Sequence, residues 1–465
     1  MYEFTKIERI SPALRPSNER IHNFSEIQEQ YTEEETAAQA SRCVQCGNPY
    51  CSSTGCPLGN YIPQWLKFIA EKDLKLAFDL SNETSPFPEI LGRICPHSRL
   101  CEGACTLNDG NELETIGAIT IGSIEVAISE QGFQRGFSPE FAKLLEGKSV
   151  GIIGSGPAGI SCAHFLLRAG IKPVVYERSD KAGGLLTYGI PNFKLEKEAV
   201  ERRIALLEEA GMELRLNTEV GKDISFEEIH REHNAVFLAM GALQGRVLDA
   251  DSYNTPNLFM AIPFLTNAQK QITEQPYDKK YNVRDKRVLV IGGGDTAMDC
   301  VRTSLRLGAS QVQCLYRRDE ENMPGSRKEF LAAKEEGVQF IFQKSPKRLL
   351  ADENGLLVGA EFIDTQLIPQ EQGRDRIEEI TGTEQIWEAD VIILALGFSN
   401  ERLPFLEKND IQINEWGAIY TDENQQTTKA GVFAGGDGVR GADLAVTAAL
   451  DGREAALKII EYVLG

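Results

Sequence analysis

The sequence reads Lys148-Ser-Val-Gly-Ile-Ile-Gly154-Ser-Gly-Pro-Ala-Gly159 where its pattern changes most sharply, and a helical stretch follows as far as Gly170. A short β-branched strand, a glycine turn and a helix in this order are typical of a dinucleotide-binding unit. Gly154 is expected to make the tight turn, Gly156 to let the backbone approach a pyrophosphate, and Gly159 to let the helix pack on the strand. The first turn of the helix would then bind the phosphates through its free N–H groups.

The same arrangement recurs at Arg287-Val-Leu-Val-Ile, which runs into Gly292-Gly-Gly-Asp-Thr-Ala297 and an amphipathic stretch ending near Gly308. Ala297 stands where the third glycine would be, and its small side chain still allows close packing. Either copy alone could be an ordinary strand-turn-helix connection, since glycine-rich turns are common. Two copies in the right context indicate a duplicated architecture.

The second strands of the two units end in side chains of opposite charge. The first ends at Glu177, where a carboxylate suits the hydroxyls of a ribose without a 2′-phosphate. The second ends at Arg317 and Arg318, and two guanidinium groups can clamp a 2′-phosphate. The contrast predicts FAD at the first unit and NADPH at the second, although a solvated basic pair is the alternative for the two arginines.

Three further segments are Gly183-Gly-Leu-Leu-Thr-Tyr-Gly-Ile-Pro191, Ala239-Met-Gly241 and Ala434-Gly-Gly-Asp437. Together with the first glycine motif, they resemble the glutathione-reductase-type flavoproteins, which carry two dinucleotide-binding domains. The resemblance implies that Gly436 and Asp437 contact the flavin side of FAD, and that Ala445-Val-Thr447 begins a helix facing the isoalloxazine. Disulfide reductases of this family need a Cys-x-x-Cys pair, to which neither Cys162 nor Cys300 belongs. Electrons are therefore expected to leave the flavin by another route.

Motifs and resemblance together give two sets of predicted cofactor contacts. The set for FAD is Gly154, Ser155, Gly156, Pro157, Ala158, Gly159, Glu177, Gly184, Leu185, Gly189, Val220, Gly241, Gly436, Asp437 and Thr447. The set for NADPH is Gly292, Gly293, Gly294, Asp295, Thr296, Ala297, Arg317, Arg318 and Gly397. No side chain is expected to act as a catalytic acid or base, because hydride transfer between cofactors needs positioning alone.

Seven of the ten cysteines are spaced as Cys43-x2-Cys46-x4-Cys51-x4-Cys56 and Cys95-x5-Cys101-x3-Cys105. Closely spaced cysteines in a reducing compartment indicate a metal site rather than disulfide bonds. One tetrahedral zinc takes four ligands, so a zinc site explains only part of the set. Two 4Fe-4S clusters take four ligands each and leave one place for an oxygen or nitrogen atom. A single cluster with spare thiols is a further alternative.

This spacing resembles the N-terminal iron-sulfur domain shared by the glutamate synthase small subunit and dihydropyrimidine dehydrogenase. The resemblance implies interleaved ligands, with one cluster on Cys43, Cys46, Cys51 and Cys105 and the other on Cys56, Cys95 and Cys101. It also implies a later helix ligand, for which Glu125 in Ile119-Thr-Ile-Gly-Ser-Ile-Glu125 is the candidate. Dihydropyrimidine dehydrogenase has an amide there. An ordinary exposed helix residue is the alternative for Glu125, and His97 is a competing ligand.

Three long segments are more specific than any short motif: Gly183 to Lys194, Gly292 to Arg302 and Tyr316 to Arg327. On these segments, and across almost the whole chain, the sequence resembles the small (beta) subunits of NADPH-dependent glutamate synthase. The similarity implies that electrons pass from NADPH through FAD and two 4Fe-4S clusters to a large (alpha) subunit. That subunit carries FMN and makes L-glutamate from L-glutamine and 2-oxoglutarate. The alternatives are the large subunit of an electron-bifurcating NADH-dependent ferredoxin:NADP oxidoreductase and a non-enzymatic binding module.

The organisation expected is an α/β protein with two Rossmann-like domains of glutathione-reductase type behind a small helical iron-sulfur domain. The predicted boundaries are 1–145 for the iron-sulfur domain, 146–284 and 397–465 for the two parts of the FAD domain, and 285–396 for the NADPH domain. The net charge of -20 argues against nucleic acid and anionic membranes as partners. No apolar run or signal peptide is evident, so a cytoplasmic location is expected.

Overall fold

The computed structural model describes residues 3–108, 117–248, 255–370 and 373–465. The N-terminal part is helical, and its longest helix is buried along most of its length. Its helices are α1 (Ser17–Arg20), α2 (Glu33–Ser41), α3 (Tyr50–Ser53), α4 (Ile62–Ala70), α5 (Leu74–Thr84), α6 (Pro88–Ile94) and α7 (Ile121–Gln134), with 3-10 turns at Glu3–Thr5 and His97–Arg99. Helix α2 begins at a capping box in which Thr32 and Glu35 bond each other's backbone N–H groups.

Both glycine motifs lie where a parallel strand turns into a helix, as the sequence predicts. The later helices are α8 (Pro157–Arg168), α9 (Leu185–Tyr188), α10 (Lys197–Glu209), α11 (Phe226–Glu232), α12 (Ala261–Ile272), α13 (Asp295–Arg306), α14 (Arg327–Glu335), α15 (Pro404–Lys408), α16 (Asp437–Arg440) and α17 (Ala445–Leu464), with a 3-10 turn at Lys279–Tyr281. The strands are β1 (Ser149–Ile153), β2 (Lys172–Tyr176), β3 (Glu213–Arg215), β4 (Ala235–Leu238), β5 (Gln244–Gly245), β6 (Leu258–Met260), β7 (Arg287–Ile291), β8 (Gln311–Leu315), β9 (Gln339–Ile341), β10 (Lys344–Ala351), β11 (Leu357–Ile368), β12 (Arg376–Glu379), β13 (Gln385–Glu388), β14 (Val391–Leu394), β15 (Phe398–Ser399) and β16 (Val432–Ala434).

Two parallel sheets form the centres of the two dinucleotide-binding units. The first has the order β16-β4-β1-β2-β3 and the second the order β6-β14-β7-β8-β9. The last strand and helix, β16 and α17, return to the first unit, where α17 packs on α8. The predicted α/β fold class with two Rossmann-like units is confirmed.

Two features of the second unit differ from what the sequence pattern indicated. Strand β6 belongs to the second sheet although it precedes residue 285, where we placed the start of the NADPH domain. An antiparallel group, in which β10, β12 and β13 all pair with β11, is inserted between β9 and β14. Strand β6 is short and β10 is mostly half-exposed, so both give only a weak hydrophobic signal.

Buried ion pairs join the three parts of the chain. Glu89 of the helical part and Arg203 of α10 bond each other with both side chains 0% exposed. Arg20 reaches Glu336, which also accepts hydrogen bonds from Arg302 and Arg306. The relative placement of the three parts is thus fixed by charged groups that solvent does not screen. Within the described residues, no helix is both long enough and apolar enough to span a lipid bilayer.

Candidate functional site

A cavity of about 750 Å³ opens at the carboxyl ends of the first sheet's strands, the usual ligand position in such folds. Most residues predicted to contact FAD line it: Gly154, Ser155, Gly156, Pro157, Ala158, Glu177, Gly184, Leu185, Val220, Gly241, Gly436 and Asp437. The other three lie nearby but outside its lining. Gly159 packs inside the turn, Gly189 lines a smaller neighbouring cavity, and Thr447 donates its hydroxyl to the Leu444 carbonyl at the start of α17.

The three glycines of the first turn occupy positions where a side chain would either clash with the backbone or fill the space beside the turn. Gly154 has φ of 102°, and a Cβ there would lie 2.5 Å from the Ala239 carbonyl oxygen. A Cβ on Gly159 would lie 2.0 Å from the Gly154 carbonyl oxygen. A Cβ on Gly156 would meet nothing within 4 Å, so its backbone faces open space in the cavity. This geometry fits a pyrophosphate lying against Gly156.

Glu177 lies at the end of β2 as the sequence predicts and is held in place by short hydrogen bonds. One carboxylate oxygen accepts from the backbone N–H and the hydroxyl of Ser155, at 3.0 and 2.6 Å. The other accepts from the Ser179 N–H at 2.8 Å. Each oxygen has two lone pairs, so acceptor capacity remains at Oε1 for a ribose hydroxyl. The residue therefore both ties the glycine turn to β2 and can bind a ligand.

Asp437 presents an unpaired acceptor to the same cavity. Its Oδ1 atom is buried and has no hydrogen-bond partner among the described residues. Burial, more than the nearby Asp443 and Asp451 carboxylates, raises the pKa of Asp437 to about 7. A buried oxygen left unpaired is costly, so a bound hydroxyl donor would stabilise the site. The unpaired atom, the cavity volume and the open face of Gly156 together fit FAD.

The second glycine turn has the same steric pattern as the first. A Cβ on Gly292 would lie 2.3 Å from the Ala395 carbonyl oxygen, whereas one on Gly294 would meet nothing within 4 Å. Asp295 begins α13 and accepts a hydrogen bond from the Ser326 N–H at 2.7 Å. Thr296 and Ala297 follow in the first turn of the helix, and Gly293 packs on the Tyr316 ring. The open side of Gly294 matches a second phosphate position.

Arg317 and Arg318 follow β8, the strand beside β7, as expected for a 2′-phosphate clamp. Arg317 is exposed, whereas Arg318 is half-buried and its Nη1 atom has no partner among the described residues. A buried guanidinium nitrogen without an acceptor fits a dianionic phosphate. Gly397 lies beyond β14 with φ of 90°, and its carbonyl accepts from the Arg246 N–H. The residues predicted for NADPH thus lie at the carboxyl edge of the second sheet.

The seven clustered cysteines separate into the two sets that the resemblance implied. The outer set is Cys43, Cys46, Cys51 and Cys105, in which burial and the neighbouring thiols raise the pKa of Cys51 to about 12. The inner set is Cys56, Cys95 and Cys101, which line one small pocket together with Glu125 and His97. Within the described residues, no three His, Cys, Asp or Glu side chains are arranged to hold a single metal ion. The ligands of a 4Fe-4S cluster bind separate iron atoms.

Glu125 is buried on α7, not exposed as the simpler interpretation would require. Its Oε1 accepts a hydrogen bond from the Asn60 amide at 2.9 Å, and Asn60 accepts one from the Thr84 hydroxyl. Burial raises the pKa of Glu125 to about 8. The His97 ring packs directly on Gly122, within the same pocket. The inner pocket therefore brings both candidate eighth ligands to the three thiols.

The inner pocket and the large cavity are neighbours at the N-terminus of α17. Val446 lines the inner pocket, whereas Leu444, Ala445 and Ala448 line the large cavity. One helix turn thus lies between the space suited to a flavin and the inner set of thiols.

Comparisons with known proteins agree with this arrangement. Residues 20–137 match the family described as dihydropyrimidine dehydrogenase domain II, 4Fe-4S cluster. Residues 148–452 match the pyridine nucleotide-disulphide oxidoreductase family. The chain is 43% identical over 475 residues to the glutamate synthase (NADPH) small chain of Escherichia coli, covering 100% of this chain and 99% of that one. The same-named protein of Halomonas elongata is 43% identical over 470 residues, covering 99% and 98%.

The chain belongs to the glutamate synthase small chain family. The family recognised from the sequence is thereby confirmed. Among solved structures, FprA of Mycobacterium tuberculosis in complex with NADPH is similar with a TM-score of 0.56, over 68% of this chain and 84% of that one. At 16% identity this likeness concerns the fold alone.

One residue that shapes the cavity of this small-chain-family protein was missed in the sequence. Lys197, only 4% exposed, donates its three ammonium hydrogens to the carbonyls of Leu186, Ile190 and Leu195. Leu186 and Ile190 line the large cavity, so Lys197 holds one of its walls. Burial lowers the pKa of Lys197 to about 7. A lone lysine at the start of a helix carries no sequence signal for this role.

Proposed function

We propose that this protein is the electron-input subunit of a glutamate synthase. It would oxidise NADPH and pass the electrons through FAD and two 4Fe-4S clusters to a large subunit. The relatives are named small chains of an NADPH-dependent glutamate synthase, which supports a large-subunit partner. That subunit would carry FMN and make L-glutamate from L-glutamine and 2-oxoglutarate. The observation that carries the proposal is the shared turn of α17, which has the large cavity on one side and the inner thiols on the other.

Each part of the large cavity has a role in holding FAD. Gly156 and the N-terminus of α8 would bind the pyrophosphate, Glu177 the adenosine ribose, and Asp437 a hydroxyl on the flavin side. Lys197 keeps the wall of the cavity at the 186–195 segment in place. When bound, FAD accepts a hydride as an electron pair and can release electrons one at a time, which iron-sulfur clusters require.

The second unit would bind NADPH and distinguish it from NADH. Gly294 leaves room for the pyrophosphate at the start of α13. Arg318 has a guanidinium nitrogen available for the 2′-phosphate, and Arg317 adds a second charge beside it. The chain contributes orientation and charge to the hydride step and no acid or base.

The two thiol sets give the electron route a direction. The inner set lies beside the flavin cavity, so its cluster would receive electrons first. In the outer set, Cys46 is half-buried, and Gly47, Asn48 and Tyr50 next to it are exposed. We therefore place the exit to the large subunit at the Cys46 to Tyr50 surface.

The test is anaerobic purification followed by counting of FAD, iron and sulfide, and by titration with NADPH. We expect one FAD and about eight iron atoms per chain, and bleaching of both chromophores by NADPH. Affinity capture from the native organism should recover a large FMN-containing protein. A chain without flavin, or one that captures a ferredoxin-reductase-like subunit in its place, would contradict the proposal.

A further inference from the structure

Trp65 carries a buried hydrogen-bond donor that no described protein atom accepts. The residue lies in α4, it is 0% exposed, and its indole Nε1 atom has no partner among the described residues. Buried tryptophan N–H groups usually find an acceptor, because an unpaired one forfeits its hydrogen bond to water. The position therefore calls for an acceptor supplied by a bound group.

The side chain of Trp65 lines the same pocket as the three inner thiols, Cys56, Cys95 and Cys101. It also belongs to the same apolar cluster as Cys101. The Asn60 amide is another side-chain donor that lines this pocket, and it is already bonded to Glu125. Sulfur atoms of an iron-sulfur cluster, and the thiolates that hold it, accept hydrogen bonds of this kind.

We propose that Trp65 donates its indole N–H to a sulfur of the cluster held by Cys56, Cys95 and Cys101, and thereby raises the reduction potential of that cluster. The inference rests on the proposed function, since it needs a cluster in the inner pocket. Trp65 is a tuning residue and takes no part in the transfer of electrons as a carrier.

The direction of the effect follows from charge. Reduction adds one negative charge to the cluster, so a donor pointing at sulfur stabilises the reduced form more than the oxidised form. The inner cluster is the one beside the flavin cavity, across the turn of α17 that contains Val446. A higher potential there favours departure of the first electron from the flavin.

The test is Trp65→Phe, which keeps an aromatic ring in the core and removes the donor. In redox titrations followed by electron paramagnetic resonance, we expect one cluster to shift to a lower potential and the other to stay unchanged. Trp387→Phe is the matched control, because Trp387 also has a buried, unpartnered Nε1 but lies in β13 of the inserted strands. A Trp65→Phe variant with wild-type iron content and wild-type potentials would overturn the inference.

A second measurement keeps the inference testable even if the variant loses iron. The chain has three tryptophans, so Trp387→Phe with Trp416→Phe leaves Trp65 as the sole site for a ¹⁵N-indole label. Pulsed paramagnetic resonance of the reduced protein should show coupling of that nitrogen to a cluster, and absence of coupling overturns the inference. Iron counting on the wild-type protein distinguishes a failure of this inference from a failure of the proposed function. A chain without the inner cluster would refute the proposed function itself.

Discussion

At the scale of single residues, Arg317 and Arg318 give the most direct indication of specificity for NADPH over NADH. These two positively charged residues follow β8, whereas the negatively charged Glu177 follows β2, the corresponding strand of the first unit. Both carboxylate oxygens of Glu177 already accept hydrogen bonds from the protein, whereas Arg318 has a buried nitrogen with no partner among the described residues. That nitrogen is the main support for the proposed 2′-phosphate site.

Replacing both arginines with alanine, Arg317→Ala with Arg318→Ala, should abolish the preference for NADPH over NADH. Each hydrogen bond to a charged group contributes about 1.5–3 kcal/mol, so loss of two lowers kcat/KM for NADPH by about 100-fold or more. The value for NADH should change little. Steady-state kinetics with both nucleotides measure this, and Arg348→Ala, at an exposed ion pair with Glu361, is the control. A retained preference for NADPH would refute the phosphate assignment.

Asp437 should make FAD binding depend on pH. Its pKa of about 7 in the free protein lies above the usual value of about 3.9, so Asp437 is largely protonated at pH 6. A ligand hydroxyl needs the carboxylate as acceptor, so deprotonation and binding favour each other, and FAD affinity should rise with pH. Linkage predicts an increase of about tenfold between pH 6 and pH 8. Fluorescence titration of the FAD-depleted protein measures it, and an Asp437→Asn variant showing the same pH dependence would contradict the assignment.

These residue positions differ in how far the sequence could predict them. Gly154, Gly156 and Glu177 were placed by local spacing, because a strand-turn-helix unit fixes its own geometry. Lys197 was not, because its three acceptors become a cluster only when the 186–195 segment folds back over α10. The unpaired nitrogen of Trp65 was not predictable either, because burial and missing partners are properties of packing.

At the scale of elements, α7 presents two buried carboxylates to different surroundings. Glu125 faces the inner thiol pocket, and burial raises its pKa to about 8. Glu130 lies on the same helix and bonds Arg93 and Arg202, so its pKa is lowered despite burial. Helix α7 therefore supplies both a candidate cluster ligand, Glu125, and a buried carboxylate outside the pocket, Glu130, that can serve as a control in mutagenesis.

The Glu125→Ala variant should lose the inner cluster, because three thiols leave one iron of a 4Fe-4S cluster without a protein ligand. We expect iron to fall from about eight to about four atoms per chain, with FAD retained. Glu130→Gln removes a buried charge from the same helix and should keep all the iron. Iron analysis with paramagnetic resonance decides the matter, and two intact clusters in Glu125→Ala would show that His97 or solvent completes the site.

Elements were predictable where a motif or a long hydrophobic period marked them. The strands and helices around both glycine turns lie where the pattern placed them. Strand β6 was not recognised as part of the second sheet, because its three residues pair with β14, far along the chain. Of the inserted strands, β10, β12 and β13 carry several exposed residues, so their alternation gave little signal.

At the scale of the whole molecule, charged contacts between distant segments hold the iron-sulfur part against the flavin part. Glu89 and Arg203 are 114 residues apart in sequence and are both fully buried in the structure. Arg453 of α17 also donates to the carbonyls of Leu58 and Thr84 in the helical part. Such pairings follow from the assembled fold, so no local pattern could have predicted them. They keep the inner thiols at a fixed distance from the flavin cavity.

Glu89→Gln should therefore destabilise the helical and flavin-binding parts together. It leaves the Arg203 charge buried without its partner, which costs about 3–5 kcal/mol, whereas Glu83→Gln breaks the more exposed pair with Arg168 and should cost about 0–1 kcal/mol. Thermal melts followed by cluster absorbance and flavin fluorescence should both shift down by several degrees in Glu89→Gln and by little in Glu83→Gln. If only the cluster signal shifted, the two parts would be unfolding independently. A common shift would mean that the helical part and the flavin-binding part unfold as one cooperative structure, because the buried Glu89–Arg203 pair joins them.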